Sequence, residues 1–279
     1  MLSGGKSRSR GDDITAVSRQ LETWARGIDY ELFFWNRWME TKGAEWPDEY
    51  AARTSATREI EAWLIKDLSL ADPANAKILD VGAGPISRLG PQYKGKRLNI
   101  TSVDPLALFY SALGRKHDLE ITTVQGFAED LCAYFDPETF DLSYCSNALD
   151  HSFDPMRGIE EMLVVTKVGG RIILVHSTDE AEYENYDGFH QWNFTERSGE
   201  FIIWNKQEQH NASRAFAQWC DIDVVADHKR RYISVTYSKK NPMHIDTLSR
   251  VKDRNRTLLA AVLVYLSRQS EIARNLGIT

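Results

Sequence analysis

Lys77-Ile78-Leu79-Asp80-Val81-Gly82-Ala83-Gly84-Pro85 is an apolar strand that runs into a glycine-rich turn. Gly82 and Gly84 can take positive φ and let a ligand approach the backbone without a Cβ clash. Pro85 pre-sets φ for the first turn of a helix expected near Ile86. The free N–H groups at such a helix start suit a polar or anionic group. A tight turn without a ligand would be spelled the same way. Position 87 is serine, so the run departs from the G-x-G-x-x-G pattern and argues against a pyrophosphate-bearing cofactor.

Outward from this turn, short apolar β runs alternate with helical segments. Strands are expected at Lys77–Val81, Leu98–Val103, Ile121–Gln125, Phe140–Cys145 and Arg171–His176. Helices are expected near Ile86 and over Pro105–His117, Ala128–Tyr134 and Pro155–Lys167. That alternation indicates βαβ units, right-handed crossovers and a parallel sheet. Asp221–Asp227 and Tyr232–Ser238 are separated only by His228–Arg231, too short for a parallel crossover, so they form an antiparallel pair. The fold class is therefore α/β, with a Rossmann-like, mostly parallel sheet and an antiparallel last strand. The second strand ends in Val103-Asp104-Pro105. A carboxylate there can accept both hydroxyl protons of a ribose, and it can also cap the helix that Pro105 opens.

Two helices precede the sheet. Ile28, Leu32, Trp35 and Met39 recur at helical spacing, and a second helix over roughly Asp48 to Leu70 would bury Ile60, Trp63, Leu64 and Leu68. A final amphipathic helix, from about Ile245 to Asn275 with Gly277 as its stop signal, reads as a core element or a homodimer element. The expected organisation is a disordered tail over 1–13, a helical cap over 14–72, a nucleoside-binding α/β domain over 73–240 and the C-terminal helix over 241–279.

Of the 279 residues, 42% are hydrophobic and 27% charged, enough for a sizeable core. Lys+Arg of 34 against Asp+Glu of 40 gives −6, so no general basic field recruits nucleic acid. The apolar stretch Leu258 to Leu266 falls short of the roughly 20 residues of a membrane-spanning helix. Met1 to Asp13 is too polar for a secretory signal. Cys132, Cys145 and Cys220 form no C-x-x-C pair, so neither a disulfide framework nor a zinc knuckle is expected. A soluble, cytoplasmic protein follows from these readings.

Three further runs make the pattern specific: Gly126-Phe127-Ala128-Glu129-Asp130-Leu131, Phe140-Asp141-Leu142-Ser143-Tyr144-Cys145-Ser146-Asn147-Ala148-Leu149-Asp150-His151, and Gly169-Gly170-Arg171-Ile172-Ile173-Leu174. In this order the chain resembles class I S-adenosylmethionine-dependent methyltransferases over Lys77 to Lys239. The likeness is greatest to the broad type 11 group of small-molecule and sugar methyltransferases. The resemblance implies a seven-stranded sheet, S-adenosylmethionine as cofactor and S-adenosylhomocysteine as product. It also implies that Asp80, Gly82, Gly84 and Pro85 hold the methionine portion and that Asp104 takes the ribose hydroxyls. Pro105 and Leu106 would lie against the adenine, and Ala128 would address it by its N–H. Ser146 and Asn147 would sit near the methyl group. Many relatives carry an Asp where this chain has Phe127, which can only pack or stack; Glu129 is the candidate replacement acceptor.

For the chemistry, His151 stands at the carboxyl end of a strand and is the candidate general base for a hydroxyl acceptor. His176, ending the fifth strand, is the second candidate; each could instead be a structural histidine. The aromatic and amide-rich stretch from Tyr183 to Phe194 offers His190 and Trp192 as acceptor-pocket residues, unless its aromatics only pin the loop. Asp150 and Asp179 occupy places where some O-methyltransferases hold a divalent ion, but acids near helix starts are commonly caps, and no metal is expected. Trp35 and Trp38, with Tyr30 and Phe34, would form a lid that touches the acceptor, or would pack on the sheet edge. The expected activity is O-methylation of a small-molecule or glycan hydroxyl. The alternatives are C- or N-methylation of a quinone-like or natural-product acceptor, and a non-catalytic nucleoside-binding scaffold.

Overall fold

The computed structural model describes residues 24–68, 72–243 and Arg274. The expected tail over 1–13 and the expected C-terminal helix therefore lie outside the described residues. Seven strands form one sheet: β1 Lys77–Val81, β2 Asn99–Asp104, β3 Val124–Gln125, β4 Phe140–Ser146, β5 Thr166–Ser177, β6 Cys220–Asp227 and β7 Tyr232–Lys239. Their order is β6-β7-β5-β4-β1-β2-β3. The strands from β5 to β3 pair in parallel, while β7 runs antiparallel to both β5 and β6. The fold class is thus the expected Rossmann-like sheet, and the antiparallel strand is placed one in from the edge. From β1 the chain builds outward to β2 and β3, and from β4 it builds the other way. The carboxyl ends of β1 and β4 therefore flank a switch point, where open α/β sheets form their ligand crevice.

Among the described residues the α-helices are α1 Ile28–Glu40, α2 Pro47–Thr54, α3 Ala62–Ile65, α4 Ala107–His117, α5 Pro155–Val165, α6 Glu180–Tyr183 and α7 Ala212–Phe216. Among the described residues no helix is long and apolar enough to cross a membrane. Side chains alternate across the strands as the two-residue period requires. Leu79 and Val81 of β1 enter one core with Ile172 and Leu174 of β5. Ile78 and Ile173 enter the core on the opposite face with Leu142 and Tyr144. α5 supplies Ile159, Met162 and Leu163 to the first core, and its N-terminus is capped by Asp154, whose Oδ1 accepts the Arg157 N–H at 3.0 Å.

Two expected helices fail, for a shared reason. No helix forms near Ile86; the connection from Gly82 to Leu98 runs through turns and a small hairpin, Gln92–Tyr93 with Lys96–Arg97. The helix expected over Asp48–Leu70 is split into α2 and α3. Between them the backbone is drawn out alongside that connection, with Ile60 N–H donating to the Gln92 carbonyl at 2.7 Å and Gln92 N–H to the Arg58 carbonyl at 3.2 Å. Ile60, Leu64, Ile65 and Leu68 then cover Ile78, Leu142 and Ile173. The N-terminal chain thereby supplies the apolar cover that a helix between β1 and β2 would have provided. The helix expected over Ala128–Tyr134 is a 3-10 turn, Ala128–Ala133. A three-stranded antiparallel sheet, Asn193–Arg197, Glu200–Trp204 and Gln209–Asn211, stands where no strands were expected.

α1 buries Ile28, Leu32, Trp35, Trp38 and Met39, the expected face. It packs against Phe109, Tyr110 and Leu113 of α4 and reaches Phe127, Phe153 and Phe189. The first helix is therefore core to this end of the molecule, with each fully buried large apolar side chain contributing about 1.5–3 kcal/mol. Leu32 is fully buried, so Leu32→Ala should lower unfolding free energy by about 2–5 kcal/mol in urea titrations. An unchanged midpoint would mean that α1 rests on the surface.

Candidate active site

The turn after β1 is held by both neighbouring strands and by the N-terminal region. Gly82 and Gly84 have φ of 67° and 66°. A Cβ on Gly84 would come within 2.8 Å of the Trp35 ring, and one on Gly82 within 2.4 Å of Ala148 Cβ. Both positions therefore require glycine for conformation and for space. Arg53 of α2 fastens the turn from outside: its Nη1 donates to the carbonyls of Ile86 at 2.7 Å and Ala83 at 3.3 Å. Glu49 orients that guanidinium at 2.9 Å, and it lies over the Trp35 ring at 5.3 Å. Nothing in the local sequence marks Arg53, because its partners lie about thirty positions away.

At the end of β2, Asp104 Oδ2 accepts the Gly84 N–H at 3.0 Å and Oδ1 accepts the Leu106 N–H at 2.8 Å. Its pKa is pushed up to about 7, first by burial and then by the charges of Glu31 and Asp80. Asp80 does not line the cavity beside the turn. Its Oδ2 accepts the Ser87 hydroxyl at 2.6 Å, and burial raises its pKa to about 6. Asp80 and Ser87 thus brace the turn internally, and Pro85, with no helix behind it, also stands away from the cavity wall.

Beyond Asp104, the wall continues through Pro105, Leu106, Phe127, Ala128 and Glu129. Phe127 packs edge-on to Trp24 at 5.9 Å, and Trp24 stacks on Phe189 at 5.2 Å. Glu129 is tied to the backbone through one oxygen. Its Oε1 accepts the N–H groups of Phe153 at 2.8 Å and Asp154 at 3.2 Å, which fixes the start of α5. Burial raises its pKa to about 8.

The opposite side of the cavity is built at the end of β4. Ser146 meets Arg88 Nη1 at 3.2 Å. Asn147 takes φ of 45°, a sparsely populated conformation for a residue with a side chain, and its Oδ1 anchors Ser177 N–H at 3.0 Å. That kink leads into the 3-10 turn Leu149–His151. Here the structure brings together three residues far apart in role: Asp150, His151 and His190. His151 Nε2 lies 3.1 Å from His190 Nδ1, and Asp150 Oδ2 lies 3.2 Å from His190 Nδ1 and 3.4 Å from His151 Nε2. Burial alone would raise the Asp150 pKa, but His151, His176 and His190 hold it well below the usual carboxylate range. Burial would lower the His190 pKa, and its bond to Asp150 raises it instead.

Gly82, Gly84, Asp104, Phe127, Ser146, Asn147, Asp150, His151 and His190 border one cavity of about 630 Å³, closed over by Trp24, Tyr30, Phe34, Trp35 and Trp38. Trp35 and Trp38 are therefore walls of this cavity. Two expectations are corrected. Trp192 lies in the main core with its Nε1 donating to the Ser152 carbonyl at 3.1 Å, so it pins the His151 turn and does not line the cavity. His176 is buried edge-on against Phe194 at 4.7 Å, behind Asp150 and outside this cavity. Asp179 does not join Asp150; its Oδ1 accepts the Trp204 Nε1–H at 3.2 Å.

Asp80, Asp104 and Glu129 have folded-state pKa values above their ordinary ones, so the folded chain keeps protons that the unfolded chain releases. Their contribution to stability is complete below about pH 4 and is lost as pH rises through about 6, 7 and 8 respectively. Glu129→Gln cannot ionise and should flatten the decline, gaining on the wild type between about pH 5 and pH 8 in urea unfolding. A variant that tracks the wild type across that range would show that Glu129 is already ionised when folded.

Residues 79–174 match the family model described as a methyltransferase domain. A comparison with curated protein sequences finds no match. Among solved structures the chain is similar to the CurJ carbon methyltransferase, at 14% identity and a TM-score of 0.46, over 62% of this chain and 50% of that one. It is also similar to a SAM-dependent methyltransferase of Thermotoga maritima, at 15% identity and a TM-score of 0.43, over 74% and 98%. A third is the T. thermophilus 16S rRNA N2 G1207 methyltransferase solved with AdoMet and guanosine, at 13% identity and a TM-score of 0.38, over 65% and 40%. The chain thus spans about half of the CurJ structure. The segment that forms the glycine turn, Asp104 and the end of β4 thus carries a methyltransferase domain.

Proposed function

We propose that the chain transfers a methyl group from S-adenosylmethionine to a hydroxyl of a small-molecule acceptor, a carbohydrate or glycoconjugate included. The observation that carries this reading is the single cavity shared by the Gly82–Gly84 turn with Asp104 on one side and the Asp150–His151–His190 cluster on the other. The residues fit the cofactor. Each Asp104 oxygen accepts one backbone N–H, which leaves acceptor capacity for two ribose hydroxyls. The glycine turn offers room that a Cβ would remove. Leu106 and Phe127 supply apolar faces for the adenine, with the Ala128 backbone beside them. Ser146, Asn147 and Arg88 border the methionine end.

The sulfonium of S-adenosylmethionine supplies an electrophilic methyl group, and transfer leaves S-adenosylhomocysteine. The chain's own residues provide position and proton management. In-line displacement depends on holding the acceptor oxygen against the methyl carbon, a task for the walls formed by Trp35, Trp38 and His190. The acceptor's proton is drawn off at the cluster, where His151 faces the cavity and the Asp150 carboxylate stabilises positive charge on the rings. The indole and phenyl groups of α1 exclude water from the reacting atoms. A second reading, N-methylation of an amine that binds as its cation and gives up a proton to the histidine cluster before its lone pair attacks the methyl carbon, draws support from Glu31 and Glu184 among the aromatic rings of the same cavity.

Calorimetric titration with S-adenosylhomocysteine should show binding that Asp104→Ala weakens by about 1–3 kcal/mol, the cost of losing a buried acceptor. Absence of binding, or equal binding by the variant, would overturn the cofactor assignment. His151→Ala should lower turnover by about 10²–10⁴ with S-adenosylhomocysteine affinity preserved. Normal turnover in that variant would remove the cluster from the reaction. Screening hydroxyl against amine acceptors separates the two readings.

A further inference from the structure

We propose that Asp150, His151 and His190 bind one divalent transition-metal ion of the zinc type. Asp150 Oδ2, His151 Nε2 and His190 Nδ1 form a closed triangle with edges of 3.1, 3.2 and 3.4 Å. Protons cannot satisfy such a triangle. If both rings carry a proton on these atoms, the two nitrogens face each other as donors. If only one does, the other nitrogen faces the carboxylate as a second acceptor. Each arrangement leaves one edge repulsive, and an N–H aims well at only one partner. A single cation satisfies all three edges at once.

The dimensions agree. A tetrahedral centre with bonds of about 2.05 Å holds its ligand atoms about 3.3 Å apart, and the three edges lie at 3.1–3.4 Å. The three atoms therefore form one face of a zinc tetrahedron. Two imidazoles and a carboxylate form a ligand set suited to zinc or iron. All three residues border the main cavity, so the fourth vertex opens towards bound small molecules, as in catalytic sites. A second observation points the same way. Asp150 Oδ1 and both ring nitrogens of His176 are buried without a hydrogen-bond partner, and His176 Nδ1 lies 3.6 Å from that oxygen. A small closure on metal binding would let His176 support the ligating carboxylate from behind, as outer partners of metal sites do.

Ion binding stands apart from the proposed function, and its catalytic use rests on the hydroxyl reading. At the open vertex an acceptor hydroxyl would become more acidic and would give up its proton to water as it enters the cavity, before transfer. Its oxygen lone pair then forms the O–C bond as the S–C bond breaks, and the electron pair stays on the sulfur of S-adenosylhomocysteine. His151 is then a ligand to the ion, and its loss still costs turnover.

The test uses the full chain, freed of metal with EDTA and titrated with Co²⁺ and then Zn²⁺. One equivalent of Co²⁺ should give the visible absorption bands of a tetrahedral nitrogen–oxygen site, and Zn²⁺ should abolish them. His190→Ala and Asp150→Asn should weaken Zn²⁺ binding by more than the 10–100-fold typical of losing an outer partner (about that range). S-adenosylhomocysteine binding by the same variants reports an intact fold. A wild-type chain that takes up no ion overturns the proposal, as does binding that neither variant changes. Metal uptake without S-adenosylhomocysteine binding would sustain this site while removing the methyl-transfer reading.

Discussion

The Gly84 N–H donates to Asp104 Oδ2 at 3.0 Å, and this contact closes the end of β1 against the end of β2 between residues 20 positions apart. It can form only because Gly84 takes a positive φ and carries no side chain. Once formed, it holds a carboxylate almost without solvent, so its own partners must be supplied by backbone N–H groups. The rest of the site is organised around that demand. Trp35 seals the turn from above, Arg53 ties its outward carbonyls, and the Asp80–Ser87 bond keeps it from unwinding inward.

The absence of a helix after β1 explains why the N-terminal region is so rich in aromatic and aliphatic residues. A sheet face left uncovered must be buried by something else, since each large apolar group left in water costs about 1.5–3 kcal/mol. The chain before β1 supplies two pieces. The run from Ile60 to Leu68 lies against Ile78 and Ile173, and α1 lies against α4 and over the cavity. Cover for the sheet and a wall for the ligand are thus provided by one continuous stretch.

The strands were legible in the sequence because their signal is local: short apolar runs at β1, β4 and β5, and a four-residue connection between β6 and β7 that dictates antiparallel pairing. Gly82, Gly84 and Asp104 were singled out for the same reason, as they end recognisable strands, whereas Ser146 and Asn147 followed from the family resemblance alone. His151 and His190 were identified singly, but their meeting was not, because it depends on how the loop after β5 folds back onto the β4 end. The helix near Ile86 failed because Pro85 gives a local preference, while pairing between Gln92 and Arg58–Ile60 is a tertiary fact. Trp192 illustrates the limit for aromatics: its amphipathic ring suits a pocket or a core, and only the Ser152 carbonyl decides between them.

Burial acts in opposite directions at the two ends of one cavity. At Asp104 and Glu129 the carboxyl groups meet only backbone N–H dipoles, too few to offset lost solvation, and their pKa values rise to about 7 and 8. At Asp150 the same loss of water is outweighed by three imidazoles, and the carboxylate stays ionised. The Asp104 side of the cavity is therefore suited to neutral hydrogen-bonding partners at little electrostatic cost. The β4 side keeps a permanent negative charge that must be balanced by a proton on histidine or by a cation. In the proposed reaction a positive methyl group and the proton it displaces both need a fixed anion nearby, and Asp150 supplies one on the wall of the same cavity that holds Asp104.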